Sequence, residues 1–210
     1  MILPQDFFSS TFILQTAWAR LEPLEPMHHD KLLPIAMHRM LWEFTSNKVY
    51  TAADYALYFN NALQEKSTQR SYPFAIFDKQ LNQYAGCTRL GNIDLKNKRL
   101  EIGWTWIAPY LHGTGFNRHC KYLLLQLAFE QLQLNRVELK TSSKNIRSQK
   151  AMLNIGAVKE GVFRRHSIND DGVVRDSVFF SFIKEEWQAT RQRYFTLKGI
   201  GDDTNEERDH

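Results

Sequence analysis

Between residues 98 and 132 the chain passes from alternating strand to helical periodicity through one short junction, Tyr110-Leu111-His112-Gly113-Thr114-Gly115-Phe116-Asn117. Two glycines one residue apart at such a place let backbone N–H groups turn inward around an anion, and the helix start adds about half a positive charge. The third glycine of a dinucleotide fingerprint would fall at Arg118, so that motif is absent. A tight turn would also account for the pair. Read with period two, Leu100, Ile102, Trp104 and Trp106 share an apolar strand face. Arg99, Glu101, Gly103, Thr105 and Ile107 share the other, which suits the floor of a cleft or an ordinary half-exposed face.

The rest of the chain supports an α/β sheet with hairpins first and one strand–helix–strand crossover at 98–141. Strands are predicted at 16–24, 72–78, 83–94, 98–109, 135–141, 157–168 and 173–183, about seven in all, with Asp171-Gly172 marking the last hairpin. Helices are predicted at 27–41, 52–66, 114–132, 145–156 and 184–196. Tyr122, Gln126, Glu130 and Gln133 make the polar edge of the third. The organisation is an N-terminal arm on the surface over 1–15, a single domain over 16–197, and an acidic, disordered tail over 198–210.

Composition narrows the classes. The 210 residues are 43% hydrophobic and 24% charged, the profile of a globular chain that needs no disulfide or metal staple. No run of apolar residues is long enough to span a membrane, and the first fifteen residues make a poor signal peptide. Cys87 and Cys120 form no disulfide framework or metal spacing, which points to a reducing cytoplasm, with Cys120 a small core residue. Without the last ten residues, 26 basic side chains stand against 18 acidic ones, and 135–165 carries eight basic residues against Glu138 and Glu160. Such a surplus suits a phosphorylated ligand or a merely solvated face; a nucleic-acid partner lacks any recognisable motif.

The segment from Glu101 to Ala157 resembles the core of a GCN5-related N-acetyltransferase, the GNAT superfamily, and is most similar to its ribosomal-protein N-terminal acetyltransferase branch. The resemblance implies a mixed, mostly antiparallel sheet flanked by helices and splayed between its fourth and fifth strands. Acetyl-CoA would lie in that gap as cosubstrate, with no metal. The family's phosphate loop falls on His112 to Asn117: Gly115 matches, while His112 and Asn117 depart from the pattern at its ends. By the same resemblance Trp106 and Ile107 would pair with the pantetheine arm. The amides of Gly113, Thr114, Gly115, Phe116, Asn117 and Arg118 would meet the pyrophosphate, and Asn145 would approach the arm as well as cap its helix.

Acetyl transfer to an amine needs a neutral nucleophile, an oxyanion donor and a proton for the leaving thiolate. Glu101, on the cleft side of its strand, is the candidate base, though a surface ion pair is an equal reading. The family often has a Tyr where this chain has Met152; Ser148 matches the branch's serine and is the candidate thiolate partner, or else a first-turn hydroxyl. His28, His29, His38 and His119 read as surface or helix residues without a role, and Trp42, Phe44, Tyr55, Tyr58 and Phe59 as core. The acceptor would be a protein N-terminus or a small amine, and a homodimer stays open. The competing reading is a non-catalytic relative that binds acetyl-CoA or serves protein association.

Overall fold

The computed structural model describes residues 6–200. One eight-stranded sheet runs in the order β1 (Leu14–Gln15), β2 (Ala19–Pro23), β3 (Tyr72–Asp78), β4 (Gln83–Asp94), β5 (Arg99–Ile107), β6 (Arg136–Ser142), β8 (Val174–Ile183), β7 (Val158–Ile168). All neighbours are antiparallel except β5 and β6, joined by the expected crossover helix. The seven expected strands are present, and β1 is the addition.

Helices α1 (His29–Ala36) and α2 (Ala52–Ser67) cover one sheet face, and their core is Leu32, Trp42, Tyr55, Tyr58 and Phe59 with Trp106 from β5. Phe44 is only half-buried. The single helix expected over 27–41 is broken: Pro34 lies inside α1 and lacks an N–H, and the chain resumes only as a short 3-10 turn at Arg39–Leu41. At the start of α2, Thr51 and Asp54 form a reciprocal capping box.

The opposite face carries α3 (Phe116–Gln126, continued by a π turn to Gln131), α4 (Ile146–Leu153) and α5 (Trp187–Tyr194). Its core joins Leu100, Ile102 and Ile107 to Phe116, Cys120, Leu123 and Leu124. Tyr122, expected on an exposed edge, is buried because α5 lies across it, its ring beside Trp187 and Phe195. Residues 6–15 are no surface arm: Phe7 and Phe12 are buried and pack edge-on to Tyr72. Ile200 is buried as well, so the body extends past the expected boundary at 197; the acidic stretch 201–210 lies outside the described residues. His28 also departs from expectation: it is buried, its Nε2 between Glu22 Oε1 at 3.0 Å and Tyr84 Oη at 3.2 Å.

Candidate active site

The strands β5 and β6 pair only at Arg99, Leu100 and Glu101 with Arg136, Val137 and Glu138, and then part, whereas β6 stays paired with β8 along its whole length. The departure is on the β5 side. Between Cys87–Arg89 of β4 and Gly103–Trp106 of β5 the register slips by one residue, and Trp104 adopts φ +50°. This is a β-bulge, two residues opposite one, and it re-aims everything beyond it.

The bulge corrects the period-two reading. Leu100 and Ile102 face α3 as expected, but after the extra residue it is Thr105 and Ile107 that face α3, while Trp104 and Trp106 join the α1–α2 side. Trp106 is fixed there by its Nε1–H, which donates to Tyr58 Oη at 3.3 Å. The Trp104 ring lies against Gly91 and leaves no room for a Cβ there.

Where β5 ends, Gly113 and Gly115 have φ +79° and +90°, and a Cβ built on either would meet open space. Their conformation, not crowding, demands glycine. Within 113–118 the amides alternate. Thr114 N–H donates to Leu111 O, Phe116 N–H to Thr114 Oγ1 and Arg118 N–H to Gly115 O. Those of Gly113, Gly115 and Asn117 have no protein acceptor among the described residues, so the expected cradle of six narrows to three. The Phe116 side chain is core, and Asn117 Oδ1 is buried with no partner among the described residues. An empty space bounded by three free N–H groups at a helix start fits a diphosphate.

His112 clasps this loop. Its Nε2 lies 3.0 Å from Ile107 O and its Nδ1 3.3 Å from Arg147 Nη1. A guanidinium only donates, so Nδ1 accepts, Nε2–H donates, and the imidazole is neutral. Burial, then Arg147, pushes its pKa below the usual value, in agreement. Both ring nitrogens are thus used within the protein, and so is one carbonyl that could have paired with an added strand.

Across the gap, Asn145 Oδ1 caps α4 by accepting from Ser148 N–H at 3.0 Å. The half-buried Ser148 hydroxyl has no protein partner among the described residues, and the half-buried Met152 packs against the core.

Glu101 is 3% exposed, on the α1–α2 side, at the last paired position before the strands part. Its Oε2 accepts from Asn92 Nδ2 at 2.7 Å and Lys140 Nζ at 2.8 Å. Its Oε1 lies over Gly103, 2.9 Å from where a Cβ would stand, so any larger residue there would press on that oxygen. His166 and Arg175 stand nearby; Arg175 reaches Phe44 O and Ser46 Oγ and ties β8 to the loop after α1. On the α1 side a cavity of about 650 Å³ opens at the loop's root, lined by Lys31, Ile35, His38, Phe77, Tyr84 and Tyr110.

Two of the eight basic residues of 135–165 are matched by carboxylates among the described residues. Arg136 pairs with both Glu138 and Glu160, and Lys140 with Glu101. One cation was missed in the sequence: Lys121, 7% exposed on α3, with Nζ 2.7 Å from Thr105 Oγ1. The signal was available, since Lys121 occupies the apolar stripe four residues after Asn117 and beside Cys120.

Residues 19–158 match the family model of the acetyltransferase (GNAT) domain. Among curated proteins, the "Putative ribosomal N-acetyltransferase YdaF" of Bacillus subtilis (strain 168) is 34% identical over 106 residues, which is 50% of this chain and 57% of that protein. The chain's matches to the curated relatives thus span between half and under two thirds of their length. A GCN5-related N-acetyltransferase from Brucella melitensis superposes with TM-score 0.81 at 27% identity, covering 88% of this chain and 84% of the other. Mycobacterium smegmatis RimJ, solved in complex with CoA-disulfide, superposes with TM-score 0.73 over 90% of this chain and 94% of its own; at 20% identity the likeness is one of fold.

Proposed function

Given that the chain belongs to the GNAT acetyltransferase domain family, we propose that it is an acetyl-CoA-dependent N-acetyltransferase transferring acetyl directly to a primary amine, of a protein N-terminus or a small molecule. The observation that carries this is the parting of β5 from β6 past Glu101 and Glu138, with the free amides of Gly113, Gly115 and Asn117 at its mouth.

Acetyl-CoA supplies the activated acyl group. The three amides hold its diphosphate, and His112 and Arg147 keep their loop against α4. Trp106 O lies against Gly86 of β4 and Ala108 N–H donates to Ala85 O, so of the expected pair it is Ile107 whose backbone alternates toward the gap. With its O held by His112, its N–H is what it offers the arm. The side-chain NH2 of Asn145, whose Oδ1 caps α4, is the second donor. Glu101 receives the proton of the attacking amine through Oε1, directly or by way of a water, while Asn92 and Lys140 hold Oε2 in place. An α-amino group, with a pKa of about 8, suits such a base better than a lysine side chain at about 10.4. Ser148 is a hydrogen-bonding partner for the departing sulfur. The unpaired, buried Cys87 and Cys120 fit a reducing cytoplasm.

The test is a thiol-release assay over a panel of amines that includes a peptide N-terminus and free lysine. Acetyl-CoA binding without thiol release for any amine would favour the non-catalytic reading.

A further inference from the structure

Lys121 has no structural reason to be charged. Its ammonium has three donors in a 7% exposed position, and among the described residues its one polar partner is Thr105 Oγ1, at 2.7 Å. Among the described residues no carboxylate lies within ion-pair distance, and the titratable group acting on it is the neighbouring Cys120 thiol. Thr105 in turn lies 2.7 Å from Thr88 Oγ1, which reaches Gly103 O at 3.5 Å, so the hydroxyl relay ends on a backbone carbonyl with no negative charge along it. A buried cation left like this is costly unless a ligand completes it.

The location specifies the ligand. Thr105 follows Trp104 at the bulge, four residues beyond the last β5–β6 pair, on the stretch of β5 that no longer pairs with β6. Asn117, whose Oδ1 is buried with no partner among the described residues, precedes Lys121 by four residues on α3, so the two share a helix face. Burial pushes Lys121 down to about 8, close to a thiol's unperturbed value of about 8.5. Met152 has no proton to give, and a serine hydroxyl is a poor acid.

We propose that the Lys121 ammonium, held by Thr105 at the β5 bulge, hydrogen-bonds the sulfur of the carrier thioester and protonates it as it leaves. The inference rests on the acetyl-CoA reading above. As the amine nitrogen bonds to the acyl carbon, the C–S bond breaks with its electron pair on sulfur. The Lys121 proton passes to sulfur, giving the free thiol, and the neutral amine recovers a proton from solvent. The proton shed by the acceptor nitrogen leaves through Glu101.

Two readouts test this without turnover. The first is the thiolate absorbance of bound CoA against pH. In the native protein the bound thiol should titrate about one to two units below free CoA, and in Lys121→Met this depression should vanish while Lys121→Arg retains it. Thr105→Val, which keeps the charge but frees the side chain, should show a smaller depression and decides the matter if Lys121→Met no longer binds CoA. The second uses the native protein alone: the ε-carbon resonance of Lys121 should move with CoA and stay unmoved with desulfo-CoA. Equal thiol titration in native and variant proteins, or equal Lys121 shifts with CoA and its sulfur-free analogue, overturns the inference and leaves the acetyl-CoA reading intact. Failure of the native protein to bind CoA overturns that reading instead.

Discussion

Arg147 on α4 donates to His112 Nδ1 at 3.3 Å, so the loop that opens α3 and the first turn of α4 are fastened to each other across the mouth of the β5–β6 gap. The bond requires a neutral imidazole. His112 has its folded pKa below its unfolded value of 6.5, so its contribution is fully present above that value and is lost as pH falls through the folded one. CoA affinity measured by calorimetry should therefore weaken as pH falls below 6.5. In His112→Gln, which keeps a donor for Ile107 O and does not titrate, that acid loss should be absent.

Replacing Gly115 by alanine forces φ +90° on a residue with a Cβ, at a cost of about 1–2 kcal/mol, and places a methyl group in the open space beside the free amides. Thermal unfolding should shift down by a few degrees. CoA affinity should fall at least tenfold, by more than the stability loss explains.

Glu101→Gln preserves the shape of a buried side chain but removes the acceptor charge that faces Lys140. If Glu101 is the base, kcat for a given amine should drop by roughly a hundredfold while KM for acetyl-CoA stays put. A fall in kcat accompanied by a rise in KM would mark a structural role for the ion pair.

Glu160 is held down to about 2, first by hydrogen bonding to Arg136. Its contribution is present above 4.5 and fades as pH drops toward 2. Chemical denaturation across this window should show a shallower acid decline in Glu160→Gln than in the native protein. The pair is partly exposed, so added salt should narrow the difference.

Much of this architecture was legible in the sequence because its signals are local. The glycine pair marks a loop whose backbone needs positive φ, Asp171-Gly172 marks a hairpin, and the 98–141 crossover follows from a strand, a helix and a strand in order. Long-range packing was not legible. Tyr122 looks exposed until α5 folds over it, and Phe7 looks like an arm residue until Tyr72 meets it. At the site the decisive failure was the bulge: strict alternation cannot register one inserted residue, so Trp106 and Ile107 exchanged faces and Thr105 was assigned to the wrong side. Lys121 escaped for a related reason, since the hydroxyl that receives it became visible as its neighbour only with Thr105 turned toward α3.

The central claim is that three main-chain donors at the start of α3 grip a diphosphate, and backbone amide resonances followed during a CoA titration test it most directly. The Gly113, Gly115 and Asn117 amides should shift downfield and gain protection from exchange, while Thr114, Phe116 and Arg118, already bonded within the protein, move far less. Saturable CoA binding that leaves those three amides unchanged would contradict the account.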